Sequence, residues 1–338
     1  MGCLTALALV ERGCSVTLVE RNVVAAQTSG ESSWAGAGIL FPLLPWMYKD
    51  AVNQLAMAGA GLYPALCQRL LDETGIDPEY TKSGLQILPN VDEKVAINWC
   101  KNYQIPVIKN VLGLFLPTIA QVRPPNLLQA LRQMLIQNGV KLIENTQLEP
   151  LKNVDYIEGW RTNNGAVLEA DAYVVTSGAW SFDLLKDTAA NLDIKPMRGQ
   201  ILLYDNVSEI PKNIIYQNGF YLVPRRDGLL LAGSTLEDVG FDTRTTEDVK
   251  QDLKTKAESI LPSLKHAAIR KHWSGLRPGT PDNLPTIAAH PSIKNLYLNT
   301  GHFRYGLTMA PASAALATAL ISGETPKIDA TPYACSLL

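Results

Sequence analysis

The opening stretch of the chain, up to Glu20, constrains the fold more than any other. Residues 2–12 are strong helix formers (Leu4, Ala6, Leu7, Ala8, Leu9) that run into Gly13, a helix stop. The β-branched run SVTLV follows at 15–19, and Glu20 stands at its end. Helix, glycine, strand, acid is the second half of a βαβ unit of the kind that holds a dinucleotide. Gly2 takes the place of the third glycine of that fingerprint, where helix and strand pack closely. The first strand and the first glycines would lie ahead of Met1. Without them the parallel sheet is expected to carry an open slot with unpaired edges.

Further helical stretches are expected at about 54–74, 92–103, 125–137, 246–260 and 310–321. Residues 140–144, 156–162 and 172–176 have the β-branched or alternating character of strands. Residues 195–233 are strand-rich, with turns at Gln217-Asn218-Gly219 and Arg226-Asp227-Gly228. Helices and parallel-type strands at both ends thus flank a β-rich middle. The expected fold class is α/β (α+β overall), with a Rossmann-like nucleotide domain and an interleaved antiparallel-sheet domain. The boundaries that follow are 1–40, 125–190 and 285–338 for the first, and 41–124 and 191–284 for the second.

A net charge of -2 and the lack of a basic stripe weigh against nucleic acid or a membrane surface as partner. The apolar run at 38–48 is too short to span a bilayer and contains Pro42 and Pro45. Five cysteines without a CxxC pair suggest neither a disulfide framework nor a zinc site, and point to a reducing cytoplasm. No basic n-region precedes an apolar run, which agrees with that location. His266, His272 and His290 show no metal-ligand spacing. Self-association into a homo-oligomer is left open.

Several segments carry chemistry. Glu20 is placed to accept hydrogen bonds from a ribose, with a surface acid at a strand end as the plain alternative. The loop TSGESSWAGAG at 28–38, notably Thr28, Ser29, Gly36, Ala37 and Gly38, offers backbone N–H groups and hydroxyls with little bulk. Gly301, His302, Phe303, Arg304, Tyr305, Gly306 and Leu307 immediately precede a helix, whose N-terminal N–H groups and dipole favour negative charge. Arg277 stands in the rigid frame SGLRPGTPD, which suits the fixed pose that bidentate carboxylate capture needs, with a surface arginine in a turn as the plain alternative. Tyr221 lies on a strand, where its hydroxyl can assist or it can simply fill the core. Leu236, after Gly233-Ser234-Thr235, is a candidate wall of a side-chain pocket.

Taken in order, TSGESSWAGAGIL, VVTSGAWS, YLVPR with LLLAGST, SGLRPGTPDNLPTI and GHFRYGLTMAP resemble the glycine oxidase branch of the D-amino-acid oxidase family, including the oxidases of thiamine biosynthesis. The resemblance runs from Gly2 to about Ser322. It implies FAD, extended through the α/β domain with its adenosine ribose near Glu20 and its flavin between the domains. Leu148, Ser177, Gly178, Trp180 and the residues 302–307 join Gly2 and the 28–38 loop as implied cofactor contacts. The substrate carboxylate falls to Arg277 with help from Tyr221, and the backbone carbonyl of Arg304 holds the amine. The implied reaction is oxidation of glycine or another small amine to the imine, with O2 reduced to H2O2. Sarcosine oxidases tether FAD through a cysteine near the flavin. No cysteine lies in SGLRPGT or GHFRYG, so noncovalent FAD is expected. His302 is expected to pack or orient near the flavin. The alternatives are a dehydrogenase of the same fold with another acceptor, the flavin domain of a tRNA-modifying enzyme, and an inactive relative that binds no FAD.

Overall fold

A computed structural model describes residues 1–27 and 30–337. Thr28 and Ser29, expected in the cofactor loop, lie outside the described residues. The chain has a mixed α/β architecture built around one large sheet. Its nine described strands run in the order Gly30–Glu31, Ala268–Gly279, Lys195–Asp205, Leu230–Gly233, Phe220–Pro224, Ile214–Gln217, Leu85–Ile87, Gly113–Leu116 and Ile108–Asn110. Pairing is antiparallel except for Ile214–Gln217 with Leu85–Ile87 and Ala268–Gly279 with Gly30–Glu31.

Burial explains the sequence of the central strands. Every residue of Phe220–Pro224 and Leu230–Gly233 is buried. On one face Tyr221, Val223 and Leu231 pack with Ile201, Leu85 and Leu114. On the other, Leu222, Leu230 and Ala232 pack with Leu253 and Ala257 of the helix Glu247–Ile260. A strand covered on both sides reads as a continuous apolar run rather than an alternating one.

The parallel strands form two separate sheets. Thr17–Val19 pairs in parallel with Lys141–Ile143. Tyr173–Val175 pairs in parallel with Leu296–Thr300, which pairs antiparallel with Thr286–Ala289. The start of the helix Gly2–Val10 lies between them: a Cβ on Gly2 would stand 2.9 Å from Thr176 Oγ1 and 3.9 Å from Leu18 Cδ1. That helix buries Leu4 and Leu7 against Leu127 and Leu131 of Pro124–Gln137 and against Ala310 and Ala314.

The closing helix begins earlier than its alanine run suggests, at Gly306, and passes through Pro311. Proline has no N–H for the carbonyl four residues back, that of Leu307. The Tyr63 hydroxyl donates to that carbonyl instead, at 2.6 Å. Tyr63 sits on the long helix Asp50–Thr74, which approaches closely because Gly59 faces the closing helix. A Cβ on Gly59 would stand 2.2 Å from the Thr308 carbonyl oxygen. No helix of the described residues is long and apolar enough to cross a membrane.

Candidate active site

Arg277 lies on the strand Ala268–Gly279, beside Lys195–Asp205. A Cβ on Gly199 would meet its Nη1 at 2.1 Å, its Nη2 at 2.3 Å and its Cζ at 2.4 Å. The guanidinium therefore rests directly on the backbone of Gly199, where only glycine leaves room. Arg277 Nη1 donates to the Thr235 carbonyl oxygen (3.1 Å), and Nη2 donates to Ser234 Oγ (2.8 Å). Among the described residues no carboxylate pairs with it. Burial pulls its pKa down from the ordinary arginine value, Tyr221 opposes this, and the positive Arg304 adds to it. A half-buried guanidinium with neutral partners retains its demand for an anion.

Around this seat the structure gathers aromatic side chains. Tyr221, on Phe220–Pro224, is 8% exposed and faces the cluster containing Ile201 and Tyr216. The Tyr305 hydroxyl donates to the Leu43 carbonyl oxygen (2.9 Å) and lies 2.9 Å from the Tyr48 hydroxyl. Arg304 is exposed, and its N–H donates to Asn283 Oδ1 (3.1 Å). Tyr48, Asn283, Phe303 and Arg304 line a cleft of about 210 Å³ together with Met47, Lys49, Pro281 and Asp282. Lys49 and Asp282 form an ion pair across it at 2.8 Å. Leu236 is 42% exposed, on the loop after Ser234 and Thr235. Sequence reasoning missed Gly199, Ser234, Tyr48, Tyr216 and Asn283. Of these, only the "RGQ" glycine, inside an otherwise bulky strand, carried a signal: it marks a close approach.

The second half of the site lies at the carboxyl ends of the parallel strands. Glu20 follows Thr17–Val19, and Thr176, Ser177 and Gly178 follow Tyr173–Val175. Gly301 and His302 follow Leu296–Thr300. In open α/β sheets ligands bind at this edge. Burial pushes the Glu20 carboxyl above its usual range, although it accepts the Asn22 N–H at 2.9 Å. Ser177 Oγ lies 3.0 Å from Ser181 Oγ, and the Gly178 carbonyl accepts from Thr300 Oγ1 at 3.4 Å. Trp180 stacks with Phe241 (5.5 Å) and carries the Arg21 guanidinium 4.0 Å from its ring centroid. Leu148 forms an isolated bridge with Thr162 and packs beside Leu151 and Trp160.

Residues 30–38 of that loop are tied to the large sheet. Trp273 Nε1 donates to the Ala35 carbonyl (3.1 Å), and Arg225 Nη2 donates to the Ala37 carbonyl (2.8 Å). Gly36 ends the short helix Ser32–Ala35. Gly38 has φ 78°, and a Cβ there would stand 2.0 Å from the Val122 carbonyl oxygen. Burial drives His302 down to about 3, and the Met1 amine adds to the effect. His302 is thus a neutral ring, with Nε2 3.0 Å from Ser313 Oγ, and not a proton carrier near neutral pH.

These residues suit the FAD that the sequence implies. The helices starting at Gly2 and Gly306 have no side-chain cap, so their first N–H groups remain donors. The Met1 amine, at the start of the first of these helices, acts on His302, four residues ahead of the second. Paired helix N-termini suit a diphosphate and an anionic ring edge, and a buried strand-end acid suits a ribose.

The comparisons with known proteins agree. The model of the family DAO, "FAD dependent oxidoreductase", matches residues 1–320. The glycine oxidase of Pseudomonas aeruginosa is 40% identical over 353 aligned positions, which cover 99% of this chain and 95% of that protein. The bifunctional protein ThiO/ThiG of Trichormus variabilis is 32% identical, over 94% of this chain and 50% of its own length. The crystal structure of glycine oxidase from Geobacillus kaustophilus superposes with a TM-score of 0.90 at 25% identity, over 99% of this chain and 95% of that one. By matched length, by sequence and by shape, this chain belongs to the DAO family of FAD-dependent oxidoreductases.

Proposed function

We propose that the protein oxidises glycine, or an amine of similar size bearing a carboxylate, to the imine, with O2 as acceptor and H2O2 as product, in thiamine biosynthesis. The observation that carries this reading is the Arg277 guanidinium, laid on Gly199 with neutral acceptors and no carboxylate among the described residues. It lies beside Tyr221 and within the influence of Arg304. The chain is divided, in this reading, into an FAD domain of 1–40, 125–190 and 285–338 and a substrate domain of 41–124 and 191–284. Five free thiols suit a reducing cytoplasm.

FAD, held noncovalently, would supply the acceptor for the hydride from the substrate Cα and the route for its electrons to oxygen. Arg277 grips the substrate carboxylate through two parallel N–H donors, and the Tyr221 hydroxyl adds a third. The Arg304 carbonyl accepts from the amine and fixes which C–H bond faces the ring. Glu20 holds the ribose. The uncapped helix starts at Gly2 and Gly306 would hold the diphosphate and the anionic ring edge. No side chain removes a proton if the amine binds neutral, which agrees with His302 being buried, uncharged and bonded to Ser313. Positioning therefore carries most of the lowering of the barrier.

The test is peroxide release by the flavin-loaded protein over glycine, sarcosine and D-alanine. Release with at least one of them is expected. Flavin bleaching under nitrogen without peroxide in air would instead favour a dehydrogenase with another acceptor. A purified protein devoid of flavin absorbance after reconstitution would point to the inactive relative.

A further inference from the structure

The acceptors that orient Arg277, the Thr235 carbonyl and the Ser234 hydroxyl, belong to the loop that follows the strand Leu230–Gly233. What holds this loop is found by following Lys195–Asp205 one residue to each side of Gly199. Side chains alternate along a strand, so while Gly199 faces the guanidinium, Arg198 and Gln200 face the other way. Both reach Glu237. Arg198 Nη2 donates to Glu237 Oε2 at 2.7 Å. Gln200 Nε2 donates to Oε1 at 3.0 Å and Oε2 at 3.2 Å. Thr235 Oγ1 donates to Oε1 at 2.5 Å. The backbones of residues 198 and 237 exchange two hydrogen bonds of 2.9 Å, and Gln200 N–H donates to Thr235 Oγ1 at 2.9 Å.

This is a closed network. The Arg198 side chain is 5% exposed and Gln200 is fully enclosed. Arg198 also donates to the Arg244 carbonyl (2.8 Å) and pairs with Asp242 (3.3 Å). The Glu237 carboxylate thus gathers three side-chain donors two residues beyond the carbonyl that Arg277 grips. On either side of it in sequence, Leu236 and Val239 are 42% and 40% exposed. The loop is therefore held by hydrogen bonds, those of the Glu237 carboxylate together with the backbone pair of residues 198 and 237.

We infer that Glu237 is a positioning residue for substrate capture: gathered by Arg198, Gln200 and Thr235, it fixes the loop whose carbonyl and hydroxyl aim Arg277 at the substrate carboxylate. The inference rests on the reading that Arg277 binds that carboxylate. Neutralising Glu237 removes one of the two counter-charges of the buried Arg198, the other being Asp242, and loosens the loop, so the effect falls on binding rather than on the chemical step.

The experiment uses the holoenzyme and two readouts: steady-state kinetics with glycine, and equilibrium binding of acetate, a bare carboxylate, by calorimetry. Glu237→Gln keeps the shape and removes the charge. It is expected to raise the glycine KM and the acetate Kd about tenfold while kcat stays within about threefold. In an Arg277→Lys background the same change should weaken acetate by less than about twofold, because the two residues act through one contact. An unchanged acetate Kd in Glu237→Gln, or an equal loss in both backgrounds, overturns the proposal. Should Glu237→Gln fail to fold, Thr235→Val deletes one donor to the carboxylate and keeps the carbonyl; an acetate Kd raised about threefold supports the proposal and an unchanged one overturns it. Equal acetate binding by the wild type and Arg277→Lys would instead overturn the role of Arg277 itself.

Discussion

Arg277 and Gly199 act as one unit. Two glycines and two prolines around Arg277 announced a fixed guanidinium, because such a frame leaves the backbone few choices. Its seat was not legible. Nothing in a sequence states which glycine a side chain lies across when ladder pairing, Gly199 with Gly275, brings them together. Arg277→Ala should raise the KM for glycine steeply, since losing a charge-assisted bidentate contact costs roughly 2–5 kcal/mol. Steady-state kinetics checks it, and an unaltered KM removes Arg277 from the site. Gly199→Ala should do nearly as much damage with every charge retained, because the new methyl falls on the guanidinium. A KM raised at least about tenfold with little loss of thermal stability is the expected result. Tyr48 was hidden for another reason: it is flanked by residues that give no motif, and only the fold brings it to the cleft.

At the scale of elements, the long helices and the fully buried strands were legible because each carries one dominant signal: helix formers with a stop, or an uninterrupted apolar run. The two-residue strand Gly30–Glu31 has no room for any periodicity, and pairing alone defines it, whereas Trp160–Arg161 falls inside the strand-like run 156–162 and is shorter than that run suggests. The alanine run starts the closing helix at about residue 310, whereas it begins at Gly306 and passes through Pro311. Its continuity depends on the Tyr63 hydroxyl, which stands in for the missing donor. Tyr63→Phe should therefore destabilise the protein by about 1–3 kcal/mol, the usual effect of stranding a buried carbonyl. Denaturant melts compared with wild type would show it, and a difference near zero would mean that the carbonyl has found another donor.

On the scale of the whole molecule, the interleaved order of strands was legible from helix-rich ends around a β-rich middle. The separation of the parallel strands into two sheets was foreshadowed by the half-fingerprint at Gly2. What joins the large sheet to the 28–38 loop was not foreseen. Arg225 Nη1 donates to Gln121 Oε1 (2.7 Å) and the Val122 carbonyl (3.1 Å), while Nη2 reaches the Ala37 carbonyl. Arg225→Met should leave these acceptors stranded, lower stability by roughly 3 kcal/mol or more, and reduce the flavin retained per chain on gel filtration. Full flavin content in a folded variant would separate the loop from cofactor retention. Acid sensitivity follows from His302. The folded ring protonates only near pH 3, the unfolded one near 6.5, so the unfolded chain binds the extra proton between those values. Stability should fall as pH drops from about 6.5 toward 3, and His302→Gln should flatten that slope in thermal melts. A last consequence follows from the bare backbone under Arg277. Glycine has nothing left to trim, so the floor of this pocket can be raised by mutation but never lowered. Room for a bulkier substrate must come from the side chains around the guanidinium and not from beneath it, and redesign should begin with them.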